Sequence, residues 1–294
     1  MEIGRNGEPR LARQAASQLH RYRESFQGAY GVFVAPYISP KAAEICKGEE
    51  IGYVDLCGNC RLSFDDVDIE REGRPNQRGK KRDLRTLYSP RATRVLRVLL
   101  AGPGKVWKVT ALAKAANVSP GLASNVKKLL ANREWIGGDR NGITLERPHE
   151  LLDEWSSNYS FRRNEPRDFY SLQTPAQIEQ GLAEACDAMG VRYALTGFSA
   201  ASRIAPMVTF QRAFAYVEGH LDEVSARLGL KEVDSGPVVT LLLPYDEGVF
   251  HGVQDVEGIQ TVSALQAYLD LQGFRGRGEE AARAILEEVL APTW

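Results

Sequence analysis

The segment from residue 89 to residue 146 constrains the fold most, because its apolar spacing and its breakers dictate a succession of short elements. Ser89-Pro90 can start a helix, and Gly102-Pro103-Gly104 must end it. Asn117-Val118 predicts a tight turn before a further helix that Ser119-Pro120 can cap. In that helix apolar residues recur at helical spacing at Leu122, Val126, Leu129 and Leu130.

A short helix and a hairpin complete this pattern. Thr110 can cap a helix that ends before the turn at residue 117. A polar stretch over residues 137–142 leads into the strand-like Ile143-Thr-Leu-Glu. Helix, short helix, turn, helix and hairpin over residues 85–150 are the layout of a winged helix-turn-helix. In that fold the last helix places its N-terminal residues in the major groove of DNA.

Charge is distributed unevenly along the chain, although the net charge is only −1. Residues 1–70 carry a net charge of −3, residues 71–147 carry +13, and residues 148–294 carry −11. A basic segment between acidic ends favours nucleic-acid binding by the middle of the chain. The alternative is that the charge belongs to a solvated basic linker. In either case we predict that residues 71–84 form a basic linker between the first segment and the helix-turn-helix pattern.

The candidate DNA contacts are the polar side chains that the predicted core does not use. They are Ser119, Ser124, Asn125, Lys127, Lys128, Arg140 and Asn141. Asn125 could read an adenine edge and the lysines could contact phosphates, while the hairpin tip could reach the DNA backbone or the minor groove. An N-cap role for Ser119, a solvated face for the lysines and a protein-contact role for the whole module are the alternatives.

The flanking segments have the patterns of mixed α/β folds. In residues 1–70 we predict a helix near residues 11–23, strands at 31–38, 51–56 and 60–64, and a helix from Ser39 to about Lys47. In residues 158–294 we predict helices at 175–189, 263–271 and 279–290 and strands at 191–196, 214–217 and 238–243. Gly197 is interpreted as a tight turn into a further helix.

Three stretches of the C-terminal segment carry a resemblance to a known family. They are Tyr193-Ala-Leu-Thr-Gly-Phe-Ser-Ala-Ala, Val249-Phe-His-Gly-Val-Gln-Asp-Val-Glu-Gly-Ile, and the run from Val262 to Ala282. Together they resemble AbiEi-type proteins, the antitoxins and transcriptional regulators of type IV toxin–antitoxin systems. The resemblance covers roughly residues 85–294. It implies an autorepressor that binds double-stranded DNA and opposes a nucleotidyltransferase-type toxin.

The C-terminal segment also resembles the nucleotidyltransferase fold, in which a strand with paired aspartates holds Mg²⁺ on nucleotide phosphates. Gly197-Phe198-Ser199 stands near the expected Gly-Ser position. The expected acidic strand, residues 211–217, contains no carboxylate. We therefore do not expect transferase activity.

Residues 1–64 resemble the second half of a restriction-endonuclease-like fold. Glu2-Ile3-Gly4 stands where Glu-x-Lys would be expected, with glycine in the lysine position. Arg5 would point to the opposite face of the strand, and the metal-binding aspartate would lie upstream of Met1. We predict a degenerate segment without nuclease activity.

The remaining chemical signals are weak. Cys57 and Cys60 have zinc-knuckle spacing without a second pair, and the four histidines are scattered, so neither a metal nor another cofactor is expected. A lone Asp55 is more typical of a turn or cap than of catalysis. No apolar run approaches the roughly 18 residues that a membrane span requires, and the N-terminal residues have no apolar core, so a cytoplasmic location is expected.

The sequence thus predicts a three-part, mixed α/β protein: an endonuclease-like segment at 1–70, a winged helix-turn-helix at 85–150 and a nucleotidyltransferase-like domain at 158–294. Its expected function is sequence-specific DNA binding as a transcriptional regulator, with homodimerisation left open. The competing functions are a residual nuclease or nucleotidyltransferase, or an adaptor whose helix-turn-helix binds protein.

Overall fold

A computed structural model of the chain describes residues 1–26, 28–75, 86–205, 211–274 and 276–294. These residues form a mixed α/β protein, which confirms the expected fold class at that level. The chain divides into two compact units. Unit 1 consists of Met1–Ala92, Val106–Lys114 and Ser119–Arg147. Unit 2 consists of Thr93–Lys105, Ala115–Val118 and Pro148–Trp294.

Unit 1 is built around a five-stranded sheet in the order β1-β2-β3-β4-β5. The first three strands are parallel and the last two are antiparallel. The strands are Glu2–Ile3, Val32–Ala35, Gly52–Asp55, Cys60–Phe64 and Val67–Arg71. Helices α1 (Pro9–Ser25) and α2 (Pro40–Gly48) make the connections between the parallel strands. Alanine-rich faces of both helices pack with Phe33 and Tyr53 in one core.

The side chain of Asp55 organises the turn that follows β3. It is buried, and its oxygens accept hydrogen bonds from the backbone nitrogens of Ile38 at 3.1 Å, Cys57 at 2.8 Å and Asn59 at 2.9 Å. The side-chain amide of Asn59 donates a fourth bond at 2.7 Å. Asp55 is therefore a turn-forming residue, as its isolation in the sequence indicated.

The first residues of the predicted linker are attached to this sheet. Arg71 closes β5, Glu72 accepts a hydrogen bond from the Tyr53 hydroxyl at 2.6 Å, and the Arg74 nitrogen donates to Asn59 at 2.8 Å. The rest of the predicted linker, residues 76–84, lies outside the described residues.

The elements predicted between residues 89 and 146 occur in the expected order, but the predicted cap Thr110 lies inside its helix, which already begins at Val109. They are α3 (Pro90–Leu100), α4 (Val109–Ala115), α5 (Pro120–Asn132), β6 (Ile136–Gly138) and β7 (Ile143–Leu145). Within unit 1, Trp107 extends the β6–β7 hairpin, because its backbone exchanges hydrogen bonds of 2.8 and 2.9 Å with Ile143.

Unit 2 contains a seven-stranded mixed sheet in the order β11-β8-β12-β10-β9-β14-β13. Its strands are β8 (Glu165–Tyr170), β9 (Tyr193–Leu195), β10 (Ala213–Val217), β11 (Lys231–Glu232), β12 (Val239–Leu243), β13 (Gln254–Val256) and β14 (Ile259–Thr261). Its helices are α6 (Pro148–Asn158), α7 (Pro175–Met189), α8 (Gly197–Ile204), α9 (Leu221–Arg227), α10 (Ala264–Leu271) and α11 (Arg277–Ile285). The last helix continues as a π-helical turn, Leu286–Leu290. None of the described helices is long and apolar enough to cross a membrane.

Asp270, at the end of α10, is the polar centre of unit 2. Its carboxylate is fully buried and accepts hydrogen bonds from Thr196 and Tyr159 at 2.5 Å, from Tyr216 at 3.0 Å and from Gln266 at 2.9 Å. Burial raises the pKa of this carboxyl, and the four donors oppose that shift. The donors come from four different parts of unit 2, so a single side chain ties those parts together.

A buried arginine balances this charge. Arg97 of α3 is only 2% exposed and donates to the Gln266 carbonyl oxygen at 2.5 Å, while Gln266 donates to Asp270. The Arg97 guanidinium also lies 5.0 Å from the ring centroid of buried Trp155. Gln266 thus links a buried cation to a buried anion.

Replacing Asp270 by asparagine should destabilise the protein. The amide turns one acceptor into a donor that faces the donors around it, at a cost of roughly 3 kcal/mol. We expect the thermal unfolding midpoint to fall by roughly 6–12 °C. In the control Asp187→Asn, an exposed residue of α7, the change should stay below about 2 °C. An equal effect of both substitutions would contradict the role of the buried network.

Candidate nucleic-acid interface

Helix α5 begins at a well-defined cap. The Ser119 side chain accepts a hydrogen bond from the Leu122 nitrogen at 3.3 Å, and Pro120 occupies the first helical position. Asn117 adopts the left-handed conformation, with φ of 50°, in the turn before the cap. Ser119 therefore has the N-cap role that the sequence offered as an alternative to DNA contact.

One face of α5 is open and polar. Ala123, Val126 and Leu130 are buried, whereas Ser124, Asn125 and Lys128 are exposed. Together with Gly121, the exposed residues occupy positions i, i+3, i+4 and i+7, which form one stripe along a helix. We call Gly121, Ser124, Asn125 and Lys128 the α5 stripe.

The α5 stripe includes three of the predicted residues and one that we did not predict. Lys127 is half-buried at the flank of the stripe. Gly121 is exposed in the first turn, and apart from its own helix backbone and chain neighbours no atom of the described residues lies within 4 Å of the point where a Cβ would be. A glycine at such a place lets another backbone approach the helix closely. Its position two residues after the N-cap could have identified Gly121 as an interface residue from the sequence.

The hairpin tip carries the remaining two predicted residues. Arg140 and Asn141 are both exposed. The side chain of Asn141, however, donates to Asp139 at 3.0 Å, and its backbone nitrogen donates to the same carboxylate at 2.7 Å. Asn141 thus shapes the turn, while Arg140 projects a positive charge from it.

Two glycines allow the hairpin to close. A Cβ at Gly138 would lie 2.1 Å from the Gly142 carbonyl oxygen, and one at Gly142 would lie 2.6 Å from the Trp107 carbonyl oxygen. Only glycine tolerates such contacts with backbone atoms. The strands are thereby held close enough to present Arg140 at a tight tip.

Some of the positively charged side chains of residues 71–147 are buried inside the protein. Arg97 is buried in unit 2, and Arg133 is buried in unit 1. The Arg133 guanidinium lies 5.3 Å from the ring centroid of Trp135. Lysines at positions 105, 108, 114 and 128 are exposed. The charge available to a nucleic acid is therefore smaller than the sequence count of +13.

A third arginine of this segment forms an ion-pair cluster within unit 2. Arg94 of α3 donates to both oxygens of Asp246, at 2.8 and 2.7 Å, and also contacts Glu247. Asn117 donates to Glu247 at 2.8 Å. The hydrogen bond to Asp246 raises the pKa of Arg94, so this arginine stays charged. We call Arg94, Asn117, Asp246 and Glu247 the Arg94 cluster.

The Arg94 cluster fixes the turn of the helix-turn-helix pattern. Asn117 stands two residues before the N-cap of α5, and its backbone carbonyl also accepts from Arg94 at 3.4 Å. The Asp246 side chain is only 8% exposed, and its bidentate contact is the geometry that guanidinium and carboxylate groups prefer. Acidic residues of the C-terminal segment thus hold the turn that contains Asn117.

The positions that suggested enzymes have structural roles. Gly197 begins α8 with φ of 52°, and the Ser199 hydroxyl is buried and accepts from the Phe214 nitrogen at 3.0 Å. A Cβ at Gly4 would lie 2.7 Å from the ring of Phe33, so the predicted lysine position has no room for a side chain as the core stands. The described residues contain no group of three or more histidine, cysteine or acidic side chains placed to hold a metal.

Substitution of Arg94 should test the Arg94 cluster. Arg94→Ala leaves a nearly buried Asp246 unpaired, and we expect a loss of roughly 3 kcal/mol in the free energy of unfolding. The matched control is Arg167→Ala, because Arg167 also pairs with two carboxylates, which are 81% and 54% exposed. Exposed pairs contribute about 0–1 kcal/mol, so chemical denaturation should separate the variants clearly. Equal losses would contradict the cluster.

Comparison with known proteins gives one finding. The sequence model of one family, described as "Transcriptional regulator, AbiEi antitoxin, Type IV TA system", matches residues 144–291, which is half of the chain. No curated protein and no solved structure matches significantly. The matched range contains Asp246, Glu247, Gln266 and Asp270 and begins after α5. The chain belongs to the AbiEi antitoxin family of transcriptional regulators from type IV toxin–antitoxin systems.

Proposed function

We propose that this regulator binds its own promoter through a winged helix-turn-helix formed by residues 85–150. The observation that carries the proposal is the α5 stripe, whose polar and basic side chains have no burial role. A recognition helix needs such a face at its N-terminal end, because base edges are read from the first turns. Gly121, Ser124 and Asn125 lie in those turns.

Within the α5 stripe the side chains suit different contacts. Asn125 presents an amide that can pair with the N6 and N7 atoms of an adenine. Lys128, with Lys127 at the flank, is suited to contacts with phosphates. Such contacts fix the position of the protein along the DNA without reading the base sequence. Arg140 at the hairpin tip is suited to the minor groove or the flanking backbone.

We propose that unit 2 carries the antitoxin function. Residues 148–294 have a net charge of −11, which disfavours direct contact with duplex DNA and favours a basic protein surface. We propose a nucleotidyltransferase-type toxin as the partner, a nucleotidyltransferase-like fold for unit 2 and autorepression by the complete protein. We further propose that the chain is not an enzyme, since β10 carries no carboxylate and Gly4 replaces a lysine.

The salt dependence of promoter binding tests the interface. We expect Lys127→Ala/Lys128→Ala to reduce the slope of log K against log salt by roughly 2, one for each phosphate contact. The matched control is Lys41→Ala/Lys231→Ala, which removes the same charge from exposed positions outside the interface and should leave the slope unchanged. Absence of promoter binding, or equal slopes for both double variants, would refute the proposal.

Substitution of Asn125 tests whether this side chain reads the base sequence of the promoter. Asn125→Ala should reduce the preference for the promoter over unrelated DNA of equal length by roughly tenfold, because one bidentate base contact is lost. Binding to the unrelated DNA is the internal control and should not change. If both affinities fell together, Asn125 would contact the backbone instead.

A further inference from the structure

Unit 2 contains a cavity that the regulatory proposal leaves unused. Its volume is about 490 Å³, within the range of small-molecule sites. It lies where the segment after α6 meets strands β8, β10 and β12 and the end of α10. The residues that define it chemically are Phe161, Phe214, Phe274, Arg162, Arg212 and Asp168.

One side of the cavity is aromatic. The ring centroid of Phe274 lies 5.2 Å from those of Phe161 and Phe214, with the rings edge to face. Phe161 and Phe274 are only half-buried, so part of each ring borders the open space. Aromatic surfaces of this kind stack with planar rings, and the base of a nucleotide is such a ring.

The other side carries positive charge. Arg212 contacts Asp168, which also accepts from the Thr240 hydroxyl at 2.9 Å. The Nε atom of Arg212 is buried, and none of the described residues accepts a hydrogen bond from it. Arg162 is exposed at the rim. Two arginines against one aspartate leave the cavity positive within an otherwise acidic part of the chain.

The charges that line the cavity favour an anion that binds without a metal ion. Asp168 is the one carboxylate among the described lining residues, and a lone carboxylate that is already paired with an arginine is a poor site for a divalent cation. A phosphate would instead be neutralised by guanidinium groups, which match its geometry.

We propose that this cavity binds a nucleoside phosphate, with the base against Phe161 and Phe274 and the phosphates at Arg212 and Arg162, without a divalent cation. The cavity shares Tyr159 with the Asp270 network, so a bound ligand should stabilise unit 2. The binding step itself is independent of whether unit 1 contacts DNA.

Calorimetric titration and thermal shift of the complete chain test this proposal. The probes are ATP, GTP, CTP and UTP in the presence of EDTA. We expect at least one nucleotide to bind saturably and to raise the unfolding midpoint. The half-ligands are the nucleoside of the nucleotide that binds most tightly, and tripolyphosphate. Each should bind at least roughly tenfold more weakly than that nucleotide, because each lacks one of the two contacts.

Three variants locate the site. Arg212→Gln, Arg162→Ala and Phe274→Leu should each weaken nucleotide binding, the first and the last by roughly tenfold or more. Arg227→Ala, an exposed arginine of α9, is the matched control and should bind normally. If Arg212→Gln fails to fold, Arg162→Ala and Phe274→Leu still decide. The proposal would be overturned by any of three results: no binding of any nucleotide at millimolar concentration, tripolyphosphate binding as tightly as the best nucleotide, or nucleotide binding that these variants leave unchanged.

Discussion

Unit 2 depends on one buried charge. The Asp270 carboxylate has four donors from four different parts of the unit, and Gln266 connects it to Arg97. A buried carboxylate is costly to desolvate and is tolerated only when its oxygens are fully hydrogen-bonded. The relative placement of α3, α10 and the β9–α8 connection is therefore specified by polar geometry as well as by the apolar core. Such networks favour one packing arrangement over others, because a slipped arrangement would leave the charge unpaired.

The basic segment divides its positive side chains between the protein interior and the surface. Arg94 and Arg97 hold α3 and the turn at Asn117 to acidic and polar groups of unit 2. Lys128 and Arg140 remain exposed. Positive side chains between residues 71 and 147 thus fall into two groups: some pair with groups of the C-terminal segment, and others stay exposed. Only the exposed group could contribute to the DNA binding that we propose.

Local signals predicted the order of the elements in the middle segment, although Thr110 lies inside its helix and does not cap it. The predicted caps Ser39 and Ser119 are confirmed, because the capping rule involves only neighbouring residues. Strand β8 was missed, since Glu165-Pro-Arg-Asp has few β-forming residues and its pairing with β12 comes from distant sequence. The Arg94 and Asp270 networks were missed for the same reason: Arg94 and Asp246 are 152 positions apart. Of the site residues, the exposure of Ser124, Asn125 and Lys128 followed from helical periodicity, whereas the bond between Asn141 and Asp139 did not.

The Arg94 cluster also limits how this protein can be divided. A fragment ending near residue 150 would contain the helix-turn-helix pattern but would lose Asp246, Glu247 and Gln266. Arg94 and Arg97 would then lie side by side on α3 without their acceptors, and the apolar face that they border would become accessible. On the proposed function, such a fragment would present DNA with more free positive charge than the intact chain possesses. Its affinity would therefore overstate that of the regulator, and its promoter preference would understate it.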